Sequence, residues 1–172
     1  MRSSTSPASR SIFDLLQRHY DPDGDQPTAP EKVAAGLAWL RQEHAHIVNM
    51  SFGLRHDRKV LRQAVAEARG SGMALIGAVP ARGAAVYPGS YPDVIRVSGD
   101  ARCAPGEISA LGGDPADYGA CPRTLDGRPG GASLAVAHLT GILARQLGDA
   151  GGDPRALLDG LVRFHGRERR LA

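Results

Sequence analysis

At 172 residues the chain is long enough to bury one substantial core and short for two domains. Nineteen arginines and two lysines leave a net charge of only +3, spread along the chain, which speaks against a nucleic-acid-binding surface. No apolar run reaches the length of a membrane helix, and the Ser/Arg-rich residues 1–10 lack the apolar centre of a signal peptide. The expectation is a cytoplasmic protein with no membrane contact.

Residues 1–10 read as a flexible tail. Ile12 to Gln17 reads as a short strand, followed by the acidic turn Asp21-Pro22-Asp23-Gly24-Asp25. That turn lacks a closing Glu at calcium-loop spacing, so it reads as a solvated loop. Thr28-Ala29-Pro30-Glu31 is a capping box with Pro in the first turn, and Val33, Leu37 and Leu40 make an apolar face on a helix reaching about His44. His46 to Ser51 is apolar except for Asn49, as a buried parallel strand would be.

Asp57 is placed to cap a second helix, Arg58 to Arg69, with Val60, Leu61, Ala64, Val65 and Ala68 toward the sheet. Gly70-Ser71-Gly72 ends it, and Met73 to Val79 is the next strand. Strand, helix, strand in this order predicts a parallel α/β sheet with right-handed crossovers. Pro80-Ala81-Arg82-Gly83 follows, then Tyr87-Pro88-Gly89-Ser90-Tyr91-Pro92, then a strand from Val94 to Ser98.

Residues 99 to 131 are rich in Gly, Pro and Asp and read as loops around a short strand near Tyr118 to Cys121. Cys103 and Cys121 fall in these loops with no His or Cys at ligand spacing, and read as free thiols rather than a zinc site or a secreted disulfide framework. No metal or other cofactor is expected. Gly130-Gly131-Ala132-Ser133-Leu134-Ala135-Val136-Ala137-His138-Leu139-Thr140-Gly141 places a serine where a Gly-rich turn enters a helix, so that its hydroxyl and the free N–H groups of the first turn face one cavity. The helix reaches about Leu147. Asp153-Pro154 opens a last helix, expected to continue through Phe164, and residues 167–172 form a basic tail.

The run around Ser133 is similar to the serine box of subtilisin-like serine peptidases, Gly-Thr-Ser-Met-Ala-x-Pro-His-x-x-Gly. Ser133 falls on the nucleophile, Ala135, His138 and Gly141 on the box's Ala, His and Gly, while Ala132 replaces its Thr and Ala137 its Pro. Ile47 to Gly53 resembles the family's strand that lines the substrate cleft, and Met73 to Ser98 its next two strands with their Tyr-Pro-Gly-x-Tyr-Pro connection. The resemblance, over roughly residues 10 to 165, implies a three-layer subtilisin-like α/β fold, a parallel sheet flanked by helices, over residues 11–166. Relative to the family it is truncated at the N-terminus. It also implies a cis peptide bond before Pro88 and a packing role for His138.

Departures from the family pattern bear on activity. The aspartate box and the histidine box, which precede the cleft strand in the family, do not occur in residues 1 to 50. Ala81 stands where the family carries its oxyanion-hole Asn. A serine needs a positioned base, and the base an orienting acid. His56, beside Asp57, is a weak candidate base, because consecutive side chains rarely face each other.

The expected function is therefore a pseudoprotease that keeps a peptide-binding cleft, formed by Ser51, Phe52 and Gly53 with Ala78, Val79 and Pro80, and holds a peptide or partner protein, with Ser133 vestigial. The alternative is half of a split subtilase, whose partner supplies Asp and His or a strand, or a repurposed enzyme using Ser133. A plain structural or oligomeric module, such as a homodimer, is the third reading. In the family a strand lies between those resembling Ile12 to Gln17 and Ile47 to Ser51. Direct pairing of these two through the Thr28 to His44 helix is expected in its place.

Overall fold

The computed structural model of the chain describes residues 29–148 and 152–167. In order they form α1 (Ala29–Gln42), β1 (Ile47–Met50), α2 (Lys59–Gly70), β2 (Ala74–Ala78), β3 (Ile95–Gly99), β4 (Ile108–Ala110), β5 (Tyr118–Ala120), α3 (Ala132–Leu147), α4 (Pro154–Asp159) and β6 (Val162–His165). The strands make one sheet in the order β1-β2-β3-β5-β4-β6. β1, β2, β3 and β5 run parallel, β4 is antiparallel to β5, and β6 is parallel to β4.

A parallel sheet must be covered on both faces, and the apolar pattern supplies two cores. Leu37, Leu40, Leu61 and Val65 of α1 and α2 pack with Val48, Met50, Leu75 and Val94 on one face. On the other, Ala135, Val136, Leu139 and Leu143 of α3 and Leu158 of α4 pack with Ile76, Val97, Ile108, Tyr118 and Ala120. Every residue of β2 is buried, as expected for a strand between two layers. Gly77 is required there: a Cβ would lie 2.7 Å from the Gly89 Cα and 2.8 Å from Val94 Cγ1, because the Tyr87 to Tyr91 loop crosses directly over β2. The Tyr87–Pro88 bond is cis, as the resemblance implies, and Asp114–Pro115 is cis as well.

Several expectations need correction. Asp57 does not cap α2: the cap position is Arg58, which makes no side-chain cap bond, and the Asp57 carboxylate instead accepts from the Tyr91 hydroxyl and from Arg62. The helix begins one residue too late for Asp57 to reach its free amides. The burial of Tyr91, with its bond to Asp57, pushes the phenol up to about 12. Val60, expected toward the sheet, is 42% exposed. The last helix stops at Asp159 with Gly160 as its cap, and Val162–His165 is an edge strand alternating half-buried Val162 and Phe164 with exposed Arg163 and His165. Period-two alternation was present in those residues and outweighs helical continuity past the glycine. β4 lay unrecognised inside the loop-rich stretch. Both cysteines are buried free thiols. The Ile12 to Gln17 strand, the acidic turn, Thr28 and the expected pairing with β1 lie outside the described residues.

One ion cluster locks β3, β5 and α4 together. Asp117 accepts from the Arg96 backbone N–H at 3.0 Å and guanidinium at 2.6 Å, and Arg155 lies 3.2 Å away while also donating to the Val94 carbonyl. Burial by itself raises the Asp117 carboxyl, but the bonds from Arg96 and the charges of Arg155 and Arg96 outweigh it and hold it below its ordinary 3.8. A carboxyl depressed on folding contributes stability that is present above its unfolded value and lost as pH falls through the folded one. Asp117→Asn should therefore cost roughly 1–3 kcal/mol at neutral pH, with the gap to the parent protein closing on acidification below about pH 4. Urea unfolding across pH measures both.

Candidate functional site

The site at Ser133 is built by the glycine turn that starts α3. Gly131 has φ of +149°, a conformation L side chains rarely adopt, and it turns the chain so that the helix opens at Ala132 with Ser133 exposed in its first turn. α3 packs on one face of the central strands through Ala135, Val136 and Leu139, all fully buried. This brings Ser133 against the chain just beyond β1.

The Ser133 hydroxyl donates to the Ser51 carbonyl at 3.0 Å. Ser51 Oγ lies 2.8 Å from Asn49 Oδ1 and 3.2 Å from the Ser133 carbonyl, and its single proton serves one of them at a time. The two serines thus hold each other across the junction of β1 and α3. Asn49 completes the link; it was visible in the sequence as the polar residue in an apolar strand, but its partner could not be read from spacing.

Among the described residues no imidazole or carboxylate is hydrogen-bonded to Ser133. His138, one turn further along α3, binds the Arg123 carbonyl at 2.8 Å through Nε2 and so braces the hairpin before the helix. His56 lies beyond the Leu54 bridge, lining a shallow hollow of about 210 Å³ with Pro30, Leu54, Arg55 and Arg58. Among the described residues the one hydrogen bond of the Ser133 hydroxyl goes to a backbone carbonyl, whereas an activated serine donates to a base.

The residues named for a peptide cleft are not equally available. Ser51 and Phe52 are half-buried and Gly53 is exposed, whereas Ala78 and Val79 are core residues, with the Val79 N–H bonded to the Val97 carbonyl. Of that second segment only Pro80 and, beyond it, exposed Ala81 reach the surface. The chain past Gly53 is already paired, since Leu54 and Tyr87 exchange both backbone bonds at 2.7 and 2.9 Å. A Cβ on Gly53 would fall 2.8 Å from Val86 Cβ, so the glycine admits this neighbour rather than an open groove. Among the described residues no three His, Cys, Asp or Glu side chains come together as a metal site, and no helix is long and apolar enough to cross a membrane.

No family model matches the sequence, and no curated protein matches it. Solved structures do match. Sphericase superposes with a TM-score of 0.58 at 17% identity, over 77% of this chain and 54% of that one. The S41 psychrophilic protease gives 0.59 at 17% identity, over 83% and 60%, and the patellamide maturation protease PatA 0.56 at 20% identity, over 80% and 58%. The architecture of this chain is accordingly the subtilisin-like α/β fold. The chain spans between half and three fifths of the length of these proteins.

Truncating Ser133 removes one exposed hydrogen bond and leaves the Ser51 carbonyl a second lone pair for water. Ser133→Ala should therefore lower stability by no more than about 1 kcal/mol. Gly53→Leu should cost more, roughly 1–3 kcal/mol, through the clash with Val86. Thermal unfolding of the two variants separates these outcomes.

Proposed function

We propose that this chain is a subtilisin-like domain without a complete Asp-His-Ser triad, which holds a peptide or partner protein at the surface where Ser51 and Phe52 meet the start of α3, and does not cleave it. The observation that carries the reading is the Ser133 hydroxyl: its proton goes to the Ser51 carbonyl, and no described base touches it. The Ala81 methyl, where the family's oxyanion donor stands, adds no hydrogen bond for a developing negative charge. Extended-peptide recognition needs only backbone groups and a few pockets, and so survives loss of the catalytic side chains.

A second reading, in which a partner supplies the missing aspartate and histidine, is favoured by one observation. Within the described residues β1 is the edge of the sheet, paired only with β2. A parallel strand from another polypeptide would extend it, and the relatives are longer than this chain.

One experiment separates the readings. The purified protein is incubated with casein and with a fluorophosphonate probe, alone and with proteins that co-purify with it. The expected result is neither cleavage nor labelling in either case. Labelling of the protein alone, abolished by Ser133→Ala, would overturn the binding reading, and labelling only with a partner would establish the split enzyme. Peptides eluted from the purified protein should rebind, with Phe52→Ala weakening them by roughly tenfold. An unchanged affinity would exclude this surface.

A further inference from the structure

Among the described residues, half of one sheet face is covered by neither helical layer. Val97, Tyr118, Ala120 and Ile108 point into the core beneath α3, so the residues alternating with them, Ser98, Gly119 and Ser109, point to the opposite face. There α1 and α2 cover only β1, β2 and the approach to β3. Over the uncovered half lies a cavity of about 430 Å³, within the size range of small-molecule sites.

Its wall contains a neutral ion pair. Asp100 is almost wholly buried and is held by Arg102 at 2.7 Å and by the Ser109 hydroxyl at 2.6 Å, while Arg102 also donates to the Gly166 carbonyl. Burial works to raise the Asp100 carboxyl, but these bonds prevail and hold it ionised. Gly119 is needed beneath them, because a Cβ there would lie 2.7 Å from the Asp100 Cβ.

The remaining polar groups around the cavity are donors without acceptors. Arg82 and Arg167 line it and make no ion pair with any described residue. Ser98, 2% exposed, lines it as well, and its Oγ has no hydrogen-bond partner. A buried hydroxyl left unsatisfied is costly, and few native side chains are found so. Leu111, Pro115 and Ala116 add an apolar part to the lining.

We propose that this cavity binds a monocarboxylate with a small apolar body, its carboxylate between Arg82 and Arg167 with one oxygen accepting from Ser98, and its apolar part on Leu111 and Pro115. Guanidinium groups match a carboxylate in charge and planar geometry. The site shares no residue with the Ser51 to Gly53 surface, and of the residues used in the function proposed there only Ala81 reaches its lining. The carboxylate is that of a free organic acid or of a peptide's carboxyl terminus, two sources with one chemistry.

N-acetyl-leucine, its amide, and an acetylated tripeptide acid ending in leucine, titrated into the full-length protein by calorimetry and by NMR, test the site. The acids should bind saturably, and the amide at least tenfold more weakly. A tripeptide acid that binds more tightly than N-acetyl-leucine assigns the source to a chain end, and equal affinity assigns it to a free acid. Arg82→Gln and Arg167→Gln should each weaken the acid about tenfold. Ser98→Ala should weaken it several-fold while leaving the unliganded protein as stable as before or more so, since it removes an unsatisfied group. Far-ultraviolet circular dichroism confirms that each variant is folded. Equal binding of acid and amide, affinity indifferent to both arginines, or no saturable binding at millimolar acid would each overturn the assignment.

Discussion

The structure depends on keeping β2 out of water on both sides. A strand whose five residues are all buried tolerates no polar side chain and no gap above or below it. On one side α3 seals it through Ala135 and Val136; on the other the Tyr87 to Tyr91 loop presses a glycine onto Gly77. That loop is held in turn by the Tyr91 hydroxyl on Asp57 at 2.6 Å and by ring contact between Tyr87 and Tyr91. The position of α3 over the sheet sets where Ser133 lies, so the candidate site is a consequence of how the central strand is covered.

The same architecture is polarised from one edge to the other. Around β1 and β2 the sheet is largely apolar on both faces and enclosed by helices. Toward β5, β4 and β6 one face turns polar, with Ser98, Ser109 and Asp100 in place of aliphatic residues and Arg102 bridging from β3 to the end of β6. A buried carboxylate is tolerated there because it is paired and fully hydrogen-bonded; truncating a partner would leave an uncompensated charge. The polar half therefore offers functional groups that the apolar half does not.

At Ser133 the fold presents a serine on a helix start, and among the described residues no base is hydrogen-bonded to it. Its hydroxyl, the Ser51 hydroxyl and the Asn49 amide form a small polar link that ties α3 to β1. A serine in this position joins two elements of the sheet sandwich whether or not it reacts. Retention of the residue is thus compatible with loss of proteolysis, and the subtilisin-like fold by itself decides nothing about activity.

What the sequence determined by itself was local and periodic. The apolar spacing of α1, the unbroken apolar strands at Ile47 and Ala74, and the glycines before Ser133 set the parallel sheet and the helix that presents the serine, because backbone preference and burial pattern are carried by neighbouring residues. Ser133, Ala81 and the want of aspartate and histidine boxes could likewise be read directly. β4 is three residues long among turn residues, and β6 was concealed by a helix start at Pro154. β4 exists because it pairs with β5 on one side and β6 on the other, and β6 because it pairs with β4, far away in the chain. Asp57 looked like a cap and became the partner of Tyr91, and Ala78 and Val79 looked available to a peptide and lie in the core. Ser98 gave no local sign that its hydroxyl would be left without a partner in a cavity also lined by two arginines that pair with no described residue. Such outcomes turn on which distant groups arrive at the same place, and only the packed structure brings them together.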